Sequence, residues 1–162
     1  MNIRRLRISN VEETSKLLRE TIKHLKQHYT AKEIEREIDA YSAKNVRACI
    51  KRKDYIFRVA EDKGKIVGVI VCTFPGPSGL CWINWIMVRR GYRRSGIGGM
   101  LIKNLEKTAN GRWNRIQCKT RMNNKSSSRM FKELGYRKKA TLRRRIHKRN
   151  VYAWEKILKD YT

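Results

Sequence analysis

The stretch Val88-Arg-Arg-Gly-Tyr-Arg-Arg-Ser-Gly-Ile-Gly-Gly-Met100 constrains the fold more than any other part of the chain. An apolar run, Trp82-Ile-Asn-Trp-Ile-Met-Val88, leads into it with the aromatic and β-branched content of a buried strand. Beyond it, Met100, Leu101 and Leu105 are spaced for one face of a helix, with Lys103 and Lys107 on the other. A strand, a Gly/Arg loop and a helix in that order leave backbone N–H groups without partners where the helix dipole favours an anion. Gly96, Gly98 and Gly99 let a phosphate approach the main chain with no Cβ in the way, and Arg93 and Arg94 add positive charge. The segment reads as a phosphate cradle. It is not a Walker loop, because no Gly-Lys-Ser/Thr closes it. The glycines at 96, 98 and 99 also depart from G-x-G-x-x-G.

Arg93-Arg-Ser-Gly96-Ile-Gly98 resembles the Arg/Gln-x-x-Gly-x-Gly/Ala signature of the GNAT N-acetyltransferase superfamily, which holds the pyrophosphate of acetyl-CoA. Further on, Asn124-Lys-Ser-Ser-Ser-Arg-Met-Phe-Lys-Glu-Leu-Gly135-Tyr136 is similar to that superfamily's Asn-x-x-Ala-x-x-x-Tyr-x-x-x-Gly-Phe. Asn124, Ser127, Phe131, Gly135 and Tyr136 fill the five positions. Read physically, this is an Asn-headed helix stopped at Gly135 before the next strand. The two signatures stand in the family's order and separation, and the resemblance covers the whole chain. It implies a single domain over residues 1–162 with the α/β (α+β) acyl-CoA N-acyltransferase fold. That fold is a mixed, mostly antiparallel central sheet, splayed at the cofactor, with helices on both faces.

The formal net charge is +26, from 40 Lys+Arg against 14 Asp+Glu. Residues 1–63 hold 16 basic and 10 acidic side chains, whereas residues 64–162 hold 24 and 4. Such a field attracts polyanions, speeds encounter with acidic partners and repels cationic acceptors such as aminoglycosides or polyamines. No run of about eighteen apolar residues exists, and the start, Met1-Asn-Ile-Arg-Arg-Leu-Arg7, lacks an apolar signal segment. A soluble cytoplasmic protein without a membrane partner is expected. Cys49, Cys72, Cys81 and Cys118 match no zinc spacing and read as packed thiols, a Cys72–Cys81 disulfide across the Pro75–Ser78 turn being the alternative. His24 and His28 stand i, i+4, but no carboxylate or thiol at matching spacing supports a metal, so they read as a solvated helix face.

In chain order, a first strand runs from Asn2 to Ile8. Asn10 with Glu13 opens a helix striped by Leu17, Leu18, Ile22 and Leu25, and Thr30 with Glu33 opens a second through Tyr41. Asn45 to Lys51 adds a short helix. Asp54–Glu61 and Lys65–Phe74 form a hairpin about Asp62-Lys-Gly64. Pro75 to Gly79 then turn the chain into Cys81–Val88. After the cradle helix come a strand, Arg112–Thr120, the Asn124 helix, and a closing hairpin of Thr141–Arg149 and Val151–Leu158 with Trp154 and Ile157 as core residues. The short helix aside, the order is β-α-α-β-β-β-α-β-α-β-β.

The resemblance implies that main-chain groups of Ile86, Met87 and Val88 pair with the pantetheine arm of acetyl-CoA. It also implies that Arg93, Arg94, Ser95, Gly96, Ile97, Gly98 and Gly99 hold the pyrophosphate, and that Asn124 and Phe131 line the arm. Acetylation needs a neutral amine, a stabilised oxyanion and a protonated leaving thiolate. Here the chain departs from the family. The usual acid is the signature Tyr, and Phe131 cannot donate a proton. A carboxylate common on the central strand is replaced by Asn84, which can hold a water but is no base. A Glu that some relatives place five residues before the signature Asn is Lys119. Asn84 and Tyr136 are therefore the candidate catalytic residues, with Tyr152 as another phenol. Glu33, Glu37 and Asp39 are candidate bases on the acceptor side. Loss of acetyl transfer, leaving a CoA-binding or RNA-binding module, stays open.

The expected activity is transfer of acetyl from acetyl-CoA to a primary amine of a protein N-terminus or lysine, by a monomer or homodimer. The alternative is a nucleic-acid- or ribosome-associated relative acting on aminoacyl-tRNA or ribosomal protein. It is motivated by Arg137-Lys-Lys139, Leu142-Arg-Arg-Arg-Ile-His-Lys-Arg149 and the basic residues Arg112, Arg115, Lys119 and Arg121.

Overall fold

A computed structural model describes residues 1–74, 78–109, 111–146 and 149–158. The strands are β1 (Asn2–Arg5), β2 (Tyr55–Asp62), β3 (Lys65–Thr73), β4 (Leu80–Val88), β5 (Arg115–Arg121), β6 (Arg137–Ile146) and β7 (Arg149–Ile157). The helices are α1 (Val11–Lys23), α2 (Ala31–Ala40), α3 (Ala43–Cys49), α4 (Ile97–Lys107) and α5 (Lys125–Glu133). Pro75, Gly76 and Pro77 of the expected turn, and His147 and Lys148 of the basic hairpin, lie outside the described residues.

Among the described residues the strands form one sheet in the order β1-β2-β3-β4-β5-β7-β6. Each neighbouring pair is antiparallel except β4 with β5. Helices α4 and α5 pack on one face, where Leu101, Ile102, Leu105, Trp113, Ile116 and Trp154 are buried. Helices α1, α2 and α3 cover the other, over Leu18, Ile22, Val46, Val59 and Val69. Covered on both sides, β3 is buried from Ile66 to Cys72 and loses the polar alternation of a half-exposed strand. Each large side chain buried this way contributes about 1.5–3 kcal/mol.

Local chemistry explains most element starts. Thr30 and Glu33 form the expected reciprocal box, with Glu33 N–H donating to Thr30 Oγ1 at 3.2 Å and Thr30 N–H donating to Glu33 Oε2 at 2.7 Å. The box expected at Asn10 is absent. Its Oδ1 accepts instead from Arg4 Nη2 at 2.8 Å, and the Glu13 carboxylate accepts from the Ile66 N–H at 2.9 Å. Charge-assisted bonds to distant strands outcompete the local cap. Helix α1 ends at Lys23, so His24 and His28 follow it in turns and share no helix face, and His28 is buried.

Gly135, at φ +82°, stops α5 and delivers the chain at once into β6, which starts at Arg137 rather than Thr141. Trp154 is buried and donates to Thr120 Oγ1 at 2.8 Å. Ile157, expected in the core, is 68% exposed, because it ends β7 opposite the partly exposed Arg115. The four cysteines are free thiols, and burial raises the pKa of Cys72 and of Cys118. Among the described residues, no group of His, Cys, Asp and Glu could hold a metal ion, and no helix is long and apolar enough to cross a membrane.

One irregularity positions the site. The parallel pairing of β4 with β5 extends from Leu80 to Ile83 against Arg115 to Cys118 and stops there. The next residue, Asn84, is the extra residue of a β-bulge, since Cys72 pairs with Ile83 whereas Val71 pairs with Trp85. A bulge bends its strand and increases its twist, so β4 leaves β5 where their pairing ends. Downstream, β4 keeps β3 through Val88, β5 keeps β7 through Arg121, and the facing edges stand apart.

Candidate active site

The loop after β4 is built to present N–H groups. Gly96 caps α4 in the left-handed region, at φ +80° and ψ 0°, and its carbonyl accepts the first helical bond from Met100 at 3.0 Å. The N–H groups of Ile97, Gly98 and Gly99 have no backbone acceptor among the described residues. A Cβ on Gly98 would stand 3.0 Å from Met130 Sδ, so α5 closes this side of the cradle and a glycine keeps it open. Arg93 Nε donates to the Val88 carbonyl at 3.1 Å, and Ser95 Oγ donates to the Tyr92 carbonyl, bracing the loop on the strand end. Behind the loop, an added Cβ on Gly68 of β3 would come within 2.9 Å of Ile97 Cγ2. The first turn of α4 therefore sits directly on the sheet.

A cleft of about 1740 Å3 runs from this cradle through the gap between β4 and β5 to α2. Pockets for one small ligand span roughly 300–1,000 Å3, so this volume suits two reactants meeting in the gap. On the α4–α5 side it is lined by Arg93, Arg94, Lys103, Lys125 and Arg129 among others, a cationic wall beside the free N–H groups.

The α1–α2 side is different in kind. Glu33 and Glu37, one turn apart on α2, both line it. Glu37 Oε2 accepts from Trp85 Nε1 at 3.2 Å, and the Tyr29 and Trp85 rings lie 6.3 Å apart at 54°. Across the gap, Lys119 Nζ sits 4.8 Å from the centroid of the Trp82 ring, with Arg121 further along β5. Burial raises the Tyr29 pKa; Arg121 opposes the rise, and Glu37 and Glu33 add to it, so this phenol feels both signs of charge. Burial, and then Glu37, likewise raises the pKa of Tyr41.

The family model described as the acetyltransferase (GNAT) family matches residues 18–136, a span that holds both the cradle and α5. The chain belongs to the GNAT acetyltransferase family. No curated protein sequence matches it. Solved structures share its fold over nearly the full length. A GNAT-family acetyltransferase from Streptococcus pneumoniae has a TM-score of 0.82 at 16% identity, covering 98% of this chain and 99% of its own. PaiA N-acetyltransferase from Thermoplasma acidophilum, solved with coenzyme A, gives 0.80 at 20% identity over 96% and 98%. A ribosomal-protein-S5-alanine acetyltransferase from Vibrio fischeri gives 0.78 at 14% identity over 99% and 94%. At these identities the likeness is one of fold.

Within this GNAT chain the structure brings together most of the residues the signatures marked. Asn84, Ile86, Met87, Val88, Arg93, Arg94, Gly96, Ile97, Gly98, Gly99, Asn124 and Phe131 all line the cleft, whereas Ser95 does not. Asn124 Oδ1 accepts from the Ser127 N–H at 3.1 Å and so caps α5 while standing at the cleft wall. Asn84 is the bulge residue, its Nδ2 held by Thr73 Oγ1 at 3.1 Å.

Tyr136 is corrected. It lies outside the cleft lining, buried edge-on to Phe131 with centroids 5.1 Å apart, and burial with the neighbouring Glu106 raises its pKa. Its ring belongs to the core cluster of Leu101, Leu105, Phe131 and Trp154 instead of the cleft wall. Tyr152 is likewise absent from the lining, and of the three acids proposed on α2, Glu33 and Glu37 reach the cleft but Asp39 does not. Tyr29, Trp82 and Trp85 went unrecognised in the sequence. Trp82 and Trp85 are three apart, which puts them on opposite faces of a regular strand; the bulge at Asn84 puts both on the α2 face.

Proposed function

We propose that this acetyltransferase acetylates the primary amine of a protein or peptide N-terminus, or of a lysine, from acetyl-CoA. The observation that carries this reading is the set of free N–H groups at the start of α4 beside the open edge of β4. The residues fit the co-substrate: an anionic diphosphate suits the first turn of α4 and its cationic wall, and Gly98 keeps the approach clear. Ile86, Met87 and Val88 would offer strand-like hydrogen bonds to the pantetheine arm, with Asn124 and Phe131 along it. The diphosphate would rest on Arg93 to Gly99. Acetyl-CoA supplies the acetyl group as a thioester. Two structures of the same fold, PaiA and a ribosomal L7/L12 alpha-N-protein acetyltransferase, were solved with coenzyme A, which supports the assignment.

The chain's own part lies on the acceptor side. Glu37, held by Trp85, takes the proton of the incoming ammonium so that a neutral amine can attack. Main-chain N–H groups near Val88 face the developing oxyanion. Phe131 gives a dry, apolar wall and no proton, so water delivers the proton that the leaving thiolate needs. An α-amine, with its ordinary pKa of about 7.7–8.0, is more often neutral than a lysine amine at about 10.4, which favours N-termini. Ribosomal-protein alanine and alpha-N acetyltransferases share the fold across the whole chain, in keeping with that preference.

Titration calorimetry with acetyl-CoA, followed by turnover with N-terminal and lysine peptides, tests the reading. Binding and acetylation of peptide α-amines are expected. Absence of binding at millimolar acetyl-CoA would overturn it.

A further inference from the structure

The acceptor half of the cleft is bipolar, and the two poles come from different elements. Glu33 and Glu37 stand on α2, while Lys119 and Arg121 stand on β5 across the gap. The rings of Tyr29, Trp82 and Trp85 form the floor between them. Arg36 also lines this wall, which sets two carboxylates against three cations. A purely cationic acceptor would face an excess of like charge. A purely anionic one would be set against the Glu37 carboxylate, which Trp85 Nε1 holds at the cleft wall. The complement of this wall is one ammonium accompanied by anionic groups. The α2 side mixes Arg36 with its carboxylates, whereas the charged groups that β5 contributes among the described lining residues are both cations, so the β5 side is where an anionic end would be held.

We propose that the natural acceptor carries an anionic group close to its reacting amine, the amine facing Glu37 and the anion facing Lys119 and Arg121. The inference rests on the N-acetyltransferase reading above and adds the substrate class. An acidic side chain in the first positions of a peptide supplies this chemistry, and so does the carboxylate of a free amino acid. The peptide is favoured by the cleft's volume and by the excess of cations, which accommodates more than one acidic group. The net charge of +26 then assists encounter with an acidic chain segment, while the local carboxylates hold its single positive end.

The test compares acetylation of Ala-Asp-Glu-Gly and Ala-Lys-Lys-Gly peptides, free aspartate and free alanine, by wild type, Lys119→Glu and the milder Lys119→Gln. The acidic peptide should exceed the basic one in kcat/KM by about tenfold or more, the effect of one charge-assisted contact, and Lys119→Glu should erase or reverse that ratio. Preference for free aspartate over both peptides would support the bipolar pocket and move the anion to an amino acid. Equal rates for the two peptides, or a ratio unchanged in both variants, would overturn the proposal.

Quenching of tryptophan fluorescence, with Trp82 and Trp85 in the pocket, reads peptide binding without turnover. Tighter binding of the acidic peptide, lost in Lys119→Glu, upholds the inference even where no peptide is acetylated and the enzymatic reading fails. Binding indifferent to peptide charge sinks the inference even where peptides are acetylated.

Discussion

The two halves of the cleft are made by opposite strategies. The α4–α5 half relies on backbone: three N–H groups on contiguous residues, aimed by one left-handed glycine and kept clear by another. The α1–α2 half relies on side chains from three separate regions, α2 with the turn before it, β4 and β5, brought together by a bulge and a split in the sheet. A backbone site tolerates change in most of its side chains, since its donors belong to every residue. A side-chain site changes its ligand with a single substitution. The contrast sets a site that substitution changes little beside one that substitution changes readily.

The comparison is broken most sharply at Gly98. Gly98→Glu puts a carboxylate where the proposed diphosphate would rest and should weaken acetyl-CoA binding more than about a hundredfold in calorimetry. Circular dichroism should stay native, and binding of the acidic peptide should persist. Loss of both sites together would show that the halves are not independent. Glu37→Gln addresses the other half. It should lower kcat/KM by about a hundredfold, the usual scale for a general base, with the acetyl-CoA dissociation constant unchanged. Normal turnover in this variant would remove Glu37 from the chemistry.

Gly68→Val tests what lies beneath the cradle. Overpacking against Ile97 and Leu101 should cost about 1–3 kcal/mol in urea unfolding and loosen acetyl-CoA binding to a smaller degree, because the start of α4 must shift. The smallest effect concerns Tyr136. Its buried phenol stays neutral in the folded chain above the ordinary pKa of about 10, where the unfolded chain has already released its proton. The folded state thus binds more protons in that window, so stability is whole below pH of about 10 and falls as pH rises further. Tyr136→Phe should flatten this alkaline loss and leave the acetylation rate unaltered. A fall in kcat at neutral pH would return the phenol to the catalytic machinery.

Legibility in the sequence followed locality. The Thr30 box, the Gly135 stop and the Gly/Arg loop involve residues a few positions apart, and each appears where its pattern placed it. The Asn10 cap failed because Arg4 and Ile66, partners from two strands, made stronger claims on the same polar groups. Ile157 reads as core in an apolar strand pattern, but it ends β7 opposite the partly exposed Arg115 and is itself exposed. Tyr136 stands in a catalytic-looking register, yet packing against residues of α4, α5, β5 and β7 buries it. None of these outcomes is encoded within a short window.

What the chain determined by sequence alone was the family, the order of elements and the glycine-rich loop that opens α4, because glycine conformations, helix starts and strand periodicity depend on neighbouring residues. What tertiary structure decided was the make-up of the cleft's α1–α2 side. One extra residue in β4 at Asn84 puts Trp82 and Trp85 on one face and parts β4 from β5, so that α2, β4 and β5 line one cleft. Charges and rings so far apart along the chain meet only through packing, and packing is a property of the whole fold.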